Sequence, residues 1–237
     1  MTVHNEHSIQ KQLLKLANPE TAAHSQRFFK TGKGEYGEGD IFLGIRVPVL
    51  RKIAKQHKAS PQKTVLQSLK SKYHEERLLA LFILVLQFEK GDESARSSIY
   101  KLYLNNTKHI NNWDLVDCSS HKIIGAFLLE KSRDPLYKLA KSKDLWKRRI
   151  AIIATYRFIK HKDFVDILSI SEMLIDNKED LIHKAIGWML REVGKQDIDT
   201  EINFLNTHYK NMPRTMLRYA IEKFPENLRQ DYLKGHV

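Results

Sequence analysis

"EERLLALFILVLQFEK" (75–90) is the stretch on which the fold turns. Its centre, "LLALFILVL" (78–86), would be apolar on every face of a helix, so other elements must surround it. Spanning a bilayer takes about 20 apolar residues, so a run of this length reads as a buried helix instead. The pattern of one basic residue followed by an apolar run then recurs. Arg77 precedes this run, Arg149 precedes "IAIIAT", Lys184 precedes "AIGWML" and Arg218 precedes "YAIEKF". The offsets are 149 − 77 = 72, 184 − 149 = 35 and 218 − 184 = 34, with Trp113 at the midpoint of the larger gap (77 + 36). A unit of about 36 residues is the size of a helix-pair repeat. One such pair cannot bury its own apolar face, so neighbours are expected to stack into a curved α-solenoid, an irregular helical bundle being the alternative.

Helical periodicity also marks "VPVLRKIAKQH" (47–57), "ARSSIYKLYLNN" (95–106), "KRRIAIIATYRFIKH" (147–161) and "LIHKAIGWMLREVGK" (181–195). Breaks are expected at Gly91-Asp92, Asp134-Pro135, Met212-Pro213 and Pro225-Glu226. No Ser/Gly linker divides the chain, and residues 1–237 read as one continuous helical-repeat domain. A solenoid repeats one helix position along its concave face, so residues 113, 149 and 184–188 are expected to converge there.

With 42% hydrophobic and 29% charged residues, the composition is that of a soluble globular protein. The single cysteine, Cys118, excludes an intramolecular disulfide framework and fits a reducing cytoplasm. "MTVHNEHSIQ" (1–10) lacks the basic-then-apolar order of a secretory signal, so the expected location is cytoplasmic, with no membrane partner. Forty basic residues against 28 acidic ones leave a net charge of +12. An excess of that size favours polyanions through counterion release, nucleic acid ahead of an anionic membrane.

Chemistry concentrates in "NNWDLVD" (111–117). Asn111 or Asn112 is a good N-cap, which places Trp113 in the first helical turn. Trp113 and Asp117, at i and i+4, share a face, while Asp114 points elsewhere and suits the helix N-terminus. Both acids could merely serve the helix end, with the indole as a packing anchor. That accounts well for Asp114 and poorly for Asp117, because Leu115, Val116, Ile123 and Ile124 already supply an apolar surface. Trp188 would ordinarily be core, although Gly187 before it suggests room for a close neighbour or ligand. Trp146 reads as a structural residue at a helix start.

Lys147, Arg148 and Arg149 open one helix, and positive charge recurs at Lys184, Arg191 and Arg218. A solvated basic face and a phosphate clamp both fit that pattern. Gly32-x-Gly34-x-x-Gly37 matches a dinucleotide fingerprint in letters only, since no strand precedes it, and residues 32–39 read as a flexible loop with room to touch a backbone. The eleven histidines show no metal-ligand spacing, and Cys118 has no evident histidine partner, so neither a metal nor a thiol nucleophile is expected.

"FLGIRVPVLR" (42–51), "NNWDLVD" (111–117), "LWKRRIAI" (145–152) and "HKAIGWMLRE" (183–192) together resemble the AlkD-type DNA glycosylases of the DNA alkylation repair family, over about residues 20–224. The resemblance implies HEAT-like repeats around a concave basic groove. It implies excision of N3- and N7-alkylated purines from duplex DNA without metal or nucleotide cofactor, by a monomer that can act with the base still stacked. By motif, Asp117 matches the catalytic aspartate, Trp113 and Trp188 the two active-site tryptophans, and Arg149 an arginine that contacts the DNA backbone. Lys147, Arg148, Lys184, Arg191 and Arg218 join it as the expected DNA-binding set. Two departures stand out: the glycine-rich 32–39 segment is longer than in compact members, and Arg27-Phe28 lacks the phenol some members carry there. A catalytically silent DNA-binding repeat protein and a protein-interaction scaffold are the competing classes.

Overall fold

The computed structural model describes residues 6–237, which are helical and free of β-strands; the first five residues, part of the segment read above for a secretory signal, lie outside them. Two compact units make up the chain, one ending at Ser119 and the other starting at Ser120.

The first unit runs through α1 (Glu6–Lys15), α2 (Pro19–Phe28), α3 (Val47–Gln56), α4 (Gln62–Leu69), α5 (His74–Lys90), α6 (Glu93–Asn105) and α7 (Trp113–Asp117). The run expected to be buried is the centre of α5, where every residue from His74 to Val85 is buried. Helices α3, α4, α6 and α7 pack around it, as a helix apolar on all faces requires. Gly91 ends α5 and Asp92 caps α6 by accepting from Ala95 N at 2.8 Å, so the chain breaks where the sequence indicated. Between α2 and α3 the chain lacks helix and is held by Glu75. Its carboxylate accepts from Leu43 N (2.8 Å), Gly44 N (2.7 Å) and Ile45 N (3.2 Å). Gly44 (φ +79°) is required there, because a Cβ would strike the backbone of Asn18 and Ala22.

The second unit opens with a π-helical segment, His121–Gly125, and continues through α8 (Ala126–Leu128), α9 (Asp134–Ala140), α10 (Leu145–Ala154), α11 (Tyr156–Ile159), α12 (Val165–Met173), α13 (Asp180–Gly194), α14 (Ile198–His208), α15 (Arg214–Ala220) and α16 (Glu226–Lys234). Asp134-Pro135 opens α9, and Pro213 and Pro225 immediately precede α15 and α16, again at the expected breaks. Helices α10, α13 and α15 pack in succession, with α9 against α10, and α12 and α14 against α13, the helix-pair arrangement of a repeat fold. The stretch 147–161 is not one helix. Thr155 separates α10 from α11, and its hydroxyl donates to Ile152 O at 2.6 Å, a local bond that competes with the helical ladder.

Gly187 answers the question its position raised, since the close neighbour is α15. A Cβ there would run into Met216 O and lie 2.5 Å from Tyr219 Cβ. Glu201 on α14 is also buried, with Oε1 unpartnered, and burial raises its pKa from 4.5 to about 8 despite the opposing charge of Arg191.

Two outcomes follow for this unit. In a helix interior Gly→Ala normally stabilises by about 1 kcal/mol. Gly187→Ala should instead destabilise by about 1–2 kcal/mol through overpacking, read as a lower urea midpoint at constant slope, whereas a gain would contradict the close approach. Because Glu201 binds its proton more tightly when folded, its contribution is complete below pH ~4.5 and fades as pH rises through ~8. Glu201→Gln should therefore flatten the fall in stability across that window, and an unchanged slope would remove Glu201 as its source.

Candidate active site

Helix α7 carries the expected residues of the first unit. Asn112 caps it, its Oδ1 accepting from Trp113 N at 2.8 Å. Leu115 and Val116 are buried behind the helix, whereas Trp113 and Asp117, its first and last residues, are half-buried. The indole is stacked on Phe29 (centroids 5.0 Å, planes 13° apart) and meets the edge of Phe28 at 5.9 Å. Phe28 itself is 59% exposed, so this aromatic surface opens to solvent at one side. Beyond Asp117 the chain turns: Ser119 donates to Leu115 O at 2.5 Å and accepts from the buried Tyr103 hydroxyl at 3.0 Å. Burial, with the nearby Cys118 and Asp117, raises the Tyr103 pKa and keeps that phenol protonated.

Asp114 does more than complement the helix end. Its Oδ1 accepts from Leu115 N at 2.9 Å, and its Oδ2 lies 2.8 Å from Nε2 of the buried His74. The other ring nitrogen of His74 is 3.0 Å from Asp40, which also accepts from Arg77 (2.5 Å) and Asn112 (3.3 Å). In the glycine-rich segment before Asp40, Gly37 lies so close to Phe29 O that a Cβ would reach within 2.5 Å of it. Glu35 and Glu38 fasten the same segment by accepting from Gly32 N and Gly34 N, each at 2.8 Å.

The second unit holds the remaining expected residues. Trp188 on α13 is half-buried, its Nε1 donating to Glu192 Oε1 at 3.2 Å and its ring 6.3 Å from that of Tyr156. Glu192 is buried and also takes Lys195 (2.6 Å) and Lys160 (3.8 Å). His121 meets Tyr156 edge-on at 5.2 Å. Burial, reinforced by Lys122 and Arg157, lowers the His121 pKa to about 4, so the ring is neutral at physiological pH. A row of His121, Tyr156 and Trp188 results. Sequence reasoning missed the first two, but Glu192 lies one helical turn from Trp188 inside a string already quoted.

The cations divide by environment. Arg149 is buried, and its Nη1 donates to Leu181 O at 2.5 Å, so it does not belong to a solvated face. Arg148 donates to Ser142 O at 2.9 Å. Lys184 pairs with Asp180 at 2.7 Å and Arg191 with Glu222. Lys147 is half-buried in the first turn of α10, and Arg218 is exposed on α15. Among the described residues, no three His, Cys, Asp or Glu side chains gather as a metal site, and no helix is long and apolar enough to cross a membrane.

A family model described as "DNA alkylation repair enzyme" matches residues 9–224. The chain belongs to that family. A role as an enzyme in the repair of DNA alkylation damage comes with it, and with that role DNA as substrate. A solved structure described as a predicted DNA alkylation repair enzyme from Enterococcus faecalis shares the fold, with a TM-score of 0.68 at 17% identity over 89% of this chain and 97% of that one. No curated protein matches the chain. Within the second unit Glu192 supports the Trp188 indole through its hydrogen bond to Nε1. In a protein whose other tryptophans are phenylalanine, Glu192→Ala should raise the accessibility of Trp188 fluorescence to a soluble quencher. Glu192→Gln, which keeps an acceptor, should stay near the parent, and equal quenching in all three proteins would show that ring packing alone fixes the indole.

Proposed function

We propose that the chain is a DNA glycosylase that excises N3- and N7-alkylated purines from duplex DNA as the first step of base excision repair. The observation that carries this reading is on α7, where an indole and a carboxylate stand one turn apart while the apolar residues between them are buried behind. A lesion of this class is already cationic, so its base is a good leaving group and no strong general acid is needed. As the C1′–N bond breaks, the base departs neutral with the bonding electrons and positive charge passes to the sugar. Asp117 stabilises that oxocarbenium-like sugar and orients a water whose oxygen forms the new bond to C1′ as its proton is released.

Trp113 and Trp188 contribute indole faces that attract the cationic lesion or the charged sugar. Lys147, Arg148, Arg149, Lys184, Arg191 and Arg218 form the basic set that holds phosphates and so fixes the sugar for attack. Pairing of Lys184 and Arg191 with exposed carboxylates does not oppose this role, because exposed ion pairs contribute only about 0–1 kcal/mol and exchange readily for phosphate. The protein acts as a monomer on double-stranded DNA, without metal or nucleotide cofactor.

Release of 7-methylguanine or 3-methyladenine from methylated duplex DNA tests the proposal. Asp117→Asn should keep DNA affinity and lose excision by about 100-fold or more, and full activity in that variant would remove Asp117 from the mechanism. Arg149→Ala and Arg218→Ala should each weaken binding and flatten its salt dependence by about one unit of slope. An unchanged slope would exclude a phosphate role for the residue concerned. Tight DNA binding by the native protein with no base release would favour the silent DNA-binding reading.

A further inference from the structure

His74 takes no part in the reaction proposed above, yet it is buried between two carboxylates. The ring is 1% exposed, with Nδ1 3.0 Å from Asp40 Oδ2 and Nε2 2.8 Å from Asp114 Oδ2. Asp40 also receives Arg77 and Asn112, both of which can only donate here, so it is a carboxylate with no proton to offer. Asp114 already accepts Leu115 N on its other oxygen. A neutral imidazole has one N–H and would turn a bare lone pair toward one of two carboxylates, away from water. Both contacts are satisfied only when the ring carries both protons. Charges then balance inside the unit, with Asp40 and Asp114 against His74 and Arg77.

What this network holds is the front of α7. Asn112 and Asp114 flank Trp113, and each reaches the network, Asn112 through Asp40 and Asp114 through His74. From the side, the His74 ring stacks on Phe42 (4.3 Å) and tilts against Phe29 (5.1 Å), the ring on which the indole is stacked. We propose that His74 is a positioning residue for Trp113: a buried, doubly protonated imidazole that ties the first turn of α7 to α5 and to the segment around Asp40, and so sets the orientation of the indole. Its importance for excision rests on the glycosylase reading; its charge and its hold on Trp113 do not.

Titration behaviour agrees with this role. Burial alone would lower the His74 pKa, but Asp114 and Asp40 outweigh it and raise the value from 6.5 to about 9. For Asp40 burial pulls upward, and His74 and Arg77 together bring its pKa below the usual value. The ionisable groups facing His74 are Asp40 from the segment between α2 and α3, Asp114 from α7 and, through Asp40, Arg77 on its own helix; Phe29 and Phe42 complete the surroundings. Because the folded value is raised, the tie is complete below pH ~6.5 and is lost as pH rises through ~9.

The test uses the full chain without DNA. Long-range nitrogen–proton NMR of histidine-labelled protein should show both His74 nitrogens protonated at pH 7.5. In the Trp146→Phe, Trp188→Phe protein, Trp113 emission should change with the same midpoint as the His74 titration, near pH 9. Asp114→Asn preserves the shape of the contact and removes one charge, so both midpoints should fall together by at least about one pH unit. A neutral His74 at pH 7.5 would overturn the proposal, as would a Trp113 transition that fails to move with the His74 midpoint. Should His74→Leu not fold, Asp114→Asn still decides the matter. At pH 7.5 the same variant should excise 7-methylguanine about tenfold more slowly. If neither variant nor parent excises the base while the spectroscopic results hold, the glycosylase reading fails and the role of His74 in holding Trp113 stands.

Discussion

Burial of four ionisable side chains in succession, His74 to Arg77, is the constraint on which the first unit depends. Their exposures are 1%, 3%, 5% and 6%, and buried charge is tolerated only where hydrogen bonds and counter-charges replace water. Each therefore collects partners from outside its own helix. His74 takes Asp40 and Asp114, Glu75 takes the backbone of residues 43–45, Glu76 takes Ser71 and Gln10, and Arg77 takes Asp40. The first turn of α5 thus fixes the non-helical segment between α2 and α3, and the start of α7, by one mechanism. An apolar turn in its place could pack against these segments but could not specify their register.

That division explains what was legible in the sequence. The apolar centre of α5 and the proline and Gly-Asp breaks are local signals, and the helices follow them. The Asp40–His74 and His74–Asp114 contacts join residues 34 and 40 positions apart, with no periodicity to announce them. The break at Thr155 was equally silent, because an apolar stripe continues through it while a single hydroxyl bond decides the backbone. Counted from the helix start, Arg149 is the fifth residue of α10 (145 + 4) and Asp117 the fifth of α7 (113 + 4).

The strings that carry the family resemblance mix two kinds of constraint. In "FLGIRVPVLR" the Gly44 turn and the amides around it serve Glu75, which is a demand of the fold. In "HKAIGWMLRE" Gly187 lets α15 approach, while Trp188 and Glu192 form a supported aromatic surface one residue further round the helix. The Enterococcus faecalis structure shares the architecture at 17% identity, so the likeness between them is one of fold. Chemistry has to be argued from positions of the second kind, whose side chains are polar or aromatic.

The two aspartates of α7 illustrate that distinction within one turn of helix. Asp114 is bound by a backbone amide and a buried imidazole, so its charge is already neutralised by the fold and has little field left for a ligand. Asp117 closes the helix at a half-buried position, three residues on and about 60° short of a full turn around the axis. In the proposed reaction the carboxylate that stabilises the developing sugar cation is Asp117, which shares its helix face with Trp113, while Asp114 is engaged by His74.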